Sequence, residues 1–164
     1  EEKRAEIILA QAIPHMNHLE WIIEKGTELG ASAFWLFPGD HSEKNTLSGH
    51  QEARLKALSI AAMKQCGSLF LPSILLKPPL AAWTPLAGSL FYGDIRKNAP
   101  QLPHAPKEPV VIFIGPEKGF SPKEVEILEH RLKAQGVKLH DNILRTETAG
   151  IVALAQLYIA ELKH

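Results

Sequence analysis

Apolar residues follow two rhythms along this chain. Residues 5–13, "AEIILAQAI", are almost unbroken in hydrophobicity and read as a buried strand. Residues 18–30, "HLEWIIEKGTELG", switch to helical spacing, with Leu19, Ile22, Ile23, Gly26 and Leu29 on one face and Gly30 placed to close the helix. "SAFWLFP" (32–38) returns to a short strand, and the polar residues 39–49 form a loop. Ser48 and Gln51 stand at capping-box spacing, which predicts a helix from 49 to about 66. "SILL" (73–76) and "SLFYGD" (89–94) read as strands, and residues 96–109, with four of the twelve prolines, as a solvent loop.

The last third repeats the pattern more legibly. "PVVIFIG" (109–115) has no polar alternation, as expected of a strand covered on both faces. Ser121-Pro122-Lys123-Glu124 is a second capping box with proline at the first helical position, opening a helix to about Ala134. "GVKLH" (136–140) reads as a short strand, 141–148 as a loop and 149–163 as a final helix. Strands alternating with helices predict an α/β fold with a mainly parallel sheet.

Composition bounds the function. A chain of 164 residues suits one domain with a sizeable core. The apolar runs fall short of the roughly 20 residues that span a bilayer, and no export signal opens the chain. The lone Cys66 cannot form an internal disulfide, which agrees with a reducing, cytoplasmic setting. Lys plus Arg and Asp plus Glu both number 18, so bulk electrostatics do not hold this chain to nucleic acid, while a local basic patch stays open. A sequence that opens on a core element also fits the trimmed remainder of a longer chain.

Two stretches carry candidate chemistry. In "VVIFIGPEKGFS" a strand empties into a glycine-rich turn, where open parallel sheets bind ligands. Gly115 and Gly119 leave room for a ligand to approach the backbone; a tight strand-to-helix connection without a ligand reads equally well. The turn has neither the G-x-G-x-x-G fingerprint nor the Gly-Lys-Ser/Thr ending of a P-loop. In "NILRTETAGIVAL" (142–154), Arg145, Thr146, Glu147 and Thr148 crowd against an apolar helix. Either they serve a ligand, or Thr148 caps the helix and Arg145 pairs with Glu147 at the surface. His15 and His18 read as histidines of a polar turn rather than metal ligands, Cys66 as a small buried hydrophobe, and Trp21 and Trp35 as core. Glu24, Lys25 and Glu28 read as a solvated face with an i,i+3 pair.

Together "IGPEKGFSPKEVE" and "NILRTETA" resemble the paired signatures of the RsmE-type ribosomal RNA methyltransferases of the SPOUT superfamily. "LEWIIEKGTELGASAFWLFP" (19–38) and "AAMKQCGSLFLPSI" (61–74) extend the resemblance over nearly the whole chain. It implies a SPOUT domain over 1–164, a deep C-terminal trefoil knot, and S-adenosylmethionine bound in that knot by a homodimer. Carried over, Ile114, Gly115, Pro116, Glu117 and Gly119 of the turn would form the cofactor cleft with Leu139, Asn142, Ile143, Leu144 and Thr146. The reaction implied is methylation of N3 of a uridine in small-subunit (16S) ribosomal RNA, with ribosomal RNA or the small subunit as partner and no metal or membrane. Arg145 is the candidate to stabilise the developing uridine anion or the phosphate beside it. Glu147 is the candidate either to orient Arg145 or to help remove the proton. A non-catalytic dimer that binds cofactor or RNA, and a SPOUT enzyme for another nucleotide, are the rival readings.

The chain departs from the family wording in places. Lys118 replaces the second glycine of a Gly-Gly pair, which raises the expectation of a strained turn. Leu139-His140-Asp141-Asn142 lacks a glycine and an arginine, Ser68 replaces an arginine, Glu43-Lys44-Asn45 stands where E-R-S is usual, and His15-Met16-Asn17 replaces a lysine-glycine pair. The family's N-terminal RNA-binding barrel of the PUA type is absent from this sequence.

Overall fold

A computed structural model describes residues 5–104 and 106–162. Its strands are β1 (Ile7–Ala12), β2 (Ala33–Phe37), β3 (Ser73–Leu76), β4 (Ser89–Gly93), β5 (Val110–Ile114) and β6 (Gln135–Val137). The helices are α1 (Met16–Glu28), α2 (Gly49–Cys66), α3 (Pro122–Glu126) and α4 (Thr146–Leu162). One sheet in the order β3-β2-β1-β5-β4-β6 unites the strands, and every neighbouring pair is parallel. The α/β reading and its parallel sheet hold.

Parallel strands with helices on both faces need apolar side chains in both directions. In β1, Ile7 and Leu9 join the core under α1 and α4, while Ile8 and Ala10 join the core on the opposite face. β5 splits the same way, with Val110, Ile112 and Ile114 on one side and Val111 and Phe113 on the other. The second core is closed by Leu80, Trp83, Ile127, Leu128 and Leu132.

Local signals set the helix ends. Ser48 Oγ accepts the Gln51 N–H at 3.1 Å while Gln51 Oε1 accepts the Ser48 N–H at 2.9 Å. Ser121 and Glu124 repeat the arrangement at α3, with Pro122 at its first position. Such a cap is worth about 1 kcal/mol. Leu19, Ile22, Ile23 and Gly26 are buried as their spacing predicts, and Gly30 takes the left-handed φ of 87° that ends α1. Lys25 pairs with Glu28 at 3.1 Å.

Several expectations are corrected. The helix predicted to reach Ala134 is regular only to Glu126, then widens through Ile127–Arg131. There the Leu132 N–H reaches back five residues to the Ile127 carbonyl at 3.0 Å, and Lys133 ends the turn at φ 57°. β6 consequently starts at Gln135 and stops at Val137, ahead of the predicted 136–140. The final helix begins at Thr146 rather than 149, with the Ala149 N–H bonded to the Arg145 carbonyl at 2.8 Å. Thr148 therefore lies inside the first turn and is not the cap; its predicted end, Lys163, lies outside the described residues. Trp21 is exposed, one position off the buried stripe of α1, with the Lys25 ammonium 5.1 Å from its ring centroid. Trp35 is half-buried against Trp83 and Lys77. Cys66 is exposed: it continues the stripe of Leu55, Ser59 and Ala62 at helical spacing, but sits at the end of α2, past the residues that cover it.

Candidate functional site

A cleft of about 400 Å³ opens beyond the carboxyl ends of β4, β5 and β6. Its floor is the turn after β5, and its far wall is the segment that leaves β6 for α4. Ile114, Gly115, Pro116, Glu117 and Gly119 line it from the turn, and Leu139, Asn142, Ile143, Leu144 and Thr146 from the segment. All ten candidate cofactor residues thus meet around one space, while Arg145 and Glu147 lie beside it rather than in its lining.

Backbone geometry makes the turn. The Gly119 N–H bonds the Pro116 carbonyl at 2.8 Å, and Gly119 takes a φ of 75°. Lys118 does not have a positive φ, so the glycine on which the turn depends is the one the chain keeps, and the expected strain is absent. Gly115 lets the turn close on itself: a Cβ there would stand 3.1 Å from the Gly119 carbonyl carbon and the Phe120 nitrogen.

Thr146 fastens this turn to the rest of the molecule. Its hydroxyl donates to the Gly115 carbonyl at 2.6 Å and accepts from Gln11 Nε2 at 2.9 Å. Gln11 is fully buried and also donates to the Ala12 carbonyl at 2.9 Å. Sequence reasoning missed Gln11, although one amide inside an otherwise apolar strand is a signal, since a buried polar group needs partners.

The opposite wall was also missed. Tyr92, Asp94 and Arg96 line the cleft at the end of β4, where the rule that finds the turn after β5 would have found them. Arg96 forks onto Asp94 at 2.7 Å and contacts Glu129 and the Tyr92 hydroxyl, which itself donates to Glu129. Burial opposes the charge on Asp94, but hydrogen bonds from the Arg96 side chain and backbone outweigh it and hold the carboxyl below the usual range. Burial, then the Glu129 hydrogen bond, pushes the Tyr92 phenol well up, so it stays a donor. Arg96 is thereby clamped as a fixed cation at the rim.

The polar loop before α4 separates into distinct roles. Thr146 is buried in the node just described, and Arg145 is exposed, its side chain making no hydrogen bond or ion pair among the described residues. The surface pair of Arg145 with Glu147 does not form; Glu147 turns instead toward His18, with Oε1 3.8 Å from Nε2. Asn142 accepts no role through its side chain here, its backbone N–H going to His140 Nδ1 at 3.0 Å. Among the described residues no cluster of His, Cys, Asp and Glu is arranged to hold a metal ion, and no helix is long and apolar enough to cross a membrane.

Comparison with known proteins converges on one group. The RNA methyltransferase domain model matches residues 1–158. Ribosomal RNA small subunit methyltransferase E of Mesomycoplasma hyopneumoniae is 30% identical over 162 residues, covering 94% of this chain and 70% of that protein. The crystal structure of the Neisseria gonorrhoeae ribosomal RNA small subunit methyltransferase E bound to S-adenosyl methionine superposes with a TM-score of 0.86 at 25% identity, covering 97% of this chain and 68% of that one. A Legionella pneumophila putative methyltransferase in complex with bound cofactor SAM gives 0.80 at 26% identity, covering 95% and 66%. The chain spans about two thirds of the length of these relatives. With a match over nearly its whole length and the motif residues gathered at one cleft, the chain belongs to the RNA methyltransferase domain family.

Proposed function

We propose that this chain is an S-adenosylmethionine-dependent methyltransferase acting on N3 of a uridine in small-subunit ribosomal RNA. The observation that carries the reading is the convergence of two distant motif segments on one cleft, at the strand ends where α/β sheets bind ligands. Its volume suits a nucleoside-sized ligand. The turn closes so tightly on Gly115 that only glycine fits there, and the cleft its backbone edges lies where the Neisseria and Legionella relatives are described with S-adenosyl methionine or SAM bound. Ile114, Gly115, Pro116, Glu117 and Gly119 would hold it on one side, with Leu139, Asn142, Ile143, Leu144 and Thr146 on the other.

When bound, the cofactor supplies a methyl group already activated on a sulfonium. The chain's own residues must then align the uridine and stabilise the negative charge that develops as N3 loses its proton. Arg145, just before α4 and unpaired among the described residues, is placed to meet that charge or the adjoining phosphate. Lys97 and Lys118 line the cleft without an ion pair among the described residues, whereas Arg96 and Lys138 there are paired with Asp94 and Asp141.

The route of the chain supports a trefoil knot. Residues 138–145 leave the outermost strand of the sheet and pass the ends of β4 and β5 to reach a helix packed on α1 and β1. Tyr158 and Ile159, exposed on α4, supply an apolar surface for the homodimer of the family resemblance.

Calorimetric titration with S-adenosylmethionine, paired with transfer of labelled methyl to small-subunit ribosomal RNA, tests the reading. Binding near one cofactor per subunit is expected, retained in Arg145→Ala, with methyl transfer in that variant falling about 100-fold. Cofactor binding without transfer to any RNA would favour the non-catalytic reading, and transfer at another position would redirect the substrate.

A further inference from the structure

Five ionisable side chains from four segments stand in line beside the cleft. They are Glu43 in the loop before α2, His15 and His18 at the start of α1, Glu117 in the turn after β5, and Glu147 in the first turn of α4. His15 Nδ1 lies 3.5 Å from Glu43 Oε2, and its Nε2 lies 3.4 Å from Glu117 Oε1. His18 Nδ1 faces the same Glu117 oxygen at 3.9 Å, and its Nε2 faces Glu147 Oε1 at 3.8 Å. Carboxylate and imidazole therefore alternate from end to end, and side-chain exposure falls from 62% at Glu43 to 16% at Glu147.

At the inner end, His18 Nδ1 and Glu147 Oε2 are buried without a hydrogen-bond partner. Among the described residues no lysine or arginine pairs with any of the five. Three carboxylates around two imidazoles repel a phosphate, and the group is not arranged to hold a metal. A proton is the occupant that satisfies them: an imidazole protonated on both nitrogens donates to a carboxylate on each side.

Resting on the methyltransferase reading above, we propose that Glu117 takes the N3 proton of the target uridine and that His15 and His18 carry it away. Glu117 is the member that lines the cleft, held there by the His15 backbone N–H at 2.7 Å. The N3–H bond breaks with its electron pair left on N3, that pair forms the bond to the methyl carbon, and the carbon–sulfur bond breaks with its pair going to sulfur. The proton passes from Glu117 to His15 and out past Glu43, or inward to His18 backed by Glu147. One proton leaves per methyl transferred, and nothing is oxidised or reduced. The gaps of 3.4 to 3.9 Å exceed a hydrogen bond, so each handoff takes a small rotation or one water, as is common before substrate binds.

The test is single-turnover methyl transfer from labelled S-adenosylmethionine to small-subunit ribosomal RNA, at saturating concentrations of both. The wild-type rate is expected to depend on pH, because the step needs groups that can accept the N3 proton. The double variant His15→Gln, His18→Gln should be slowed about 100-fold, with a flattened pH profile and partial rescue by added imidazole. Its cofactor affinity should be unchanged by calorimetry. Should the double variant fail to fold, the pair His15→Asn, His18→Asn removes both branches and gives the same readouts. A variant with the wild-type rate and profile overturns the relay, as does one that is slowed while keeping the wild-type profile and ignoring imidazole. A wild-type protein that binds cofactor yet transfers no methyl overturns the methyltransferase reading and the relay with it, a result distinct from failure of the relay alone.

Discussion

A Cβ on Gly115 would meet the backbone of Gly119 and Phe120 at 3.1 Å, whereas one on Gly119 would meet nothing within 4 Å. The two glycines of the turn are therefore required for different reasons. Gly115→Ala forces the turn to open into the cleft and should weaken cofactor binding at least about tenfold, roughly 1.4 kcal/mol. Gly119→Ala meets only the penalty of a left-handed φ, and should lower stability by about 1 kcal/mol with a smaller effect on binding. Calorimetry and thermal melts on the pair separate the two effects. Glu124 offers a pH-dependent test. Burial raises its pKa, against backbone hydrogen bonds from Ser121 and Asp40 that lower it. With the folded-state value above the unfolded one, stabilisation is present below the ordinary glutamate pKa of about 4.3 and is lost as pH rises through the folded value. Glu124→Gln keeps the acceptor for the Ser121 N–H without the charge, so its Tm should exceed wild type at about pH 7, the gap closing below about pH 4. Both capping boxes were readable because their partners lie three residues apart. Thr148 misled because the hydroxyl that matters, on Thr146, has partners at Gly115 and Gln11 that spacing does not reveal.

At the scale of elements, Gly26 decides how closely α1 lies on the sheet. An added Cβ would fall 2.6 Å from the Phe34 ring and 3.4 Å from Leu154, both fully enclosed. Overpacking costs about 1–3 kcal/mol and the better helix propensity of alanine returns up to about 1. Gly26→Ala should therefore lower the Tm by several degrees, measured in a thermal melt, where about 2–4 °C corresponds to each kcal/mol. Strand and helix identities were legible here because short unbroken apolar runs differ so clearly from apolar positions at helical spacing. The widened turn at Ile127–Arg131 was not, since nothing local distinguishes it from α-helix. What marks it is tertiary: Ile127 and Leu128 enter the core while Glu129 reaches Tyr92 and Arg96.

For the whole molecule, the parallel sheet and the end of it that carries the site could be anticipated from the alternation of elements. The turn was legible because it follows an apolar run, whereas the ten cofactor residues were named through the resemblance of the two motifs to the RsmE-type family. Their meeting with β4 could not be anticipated, because the order β3-β2-β1-β5-β4-β6 depends on long-range pairing. Neither could the histidine and carboxylate line, drawn from residues as far apart as His15, Glu117 and Glu147. The bond between Gln11 and Thr146 spans 135 residues of chain. During synthesis β1 emerges early, and the Gln11 amide has the Ala12 carbonyl as an acceptor long before Thr146 is made. Until Thr146 is made, the turn after β5 is held to β1 only by strand pairing and the Gln11 amide. The cleft is thus a property of the completed chain: a nascent protein arrested before α4 can pair β5 with β1 and form the turn, but it lacks the Thr146 hydroxyl on the Gly115 carbonyl.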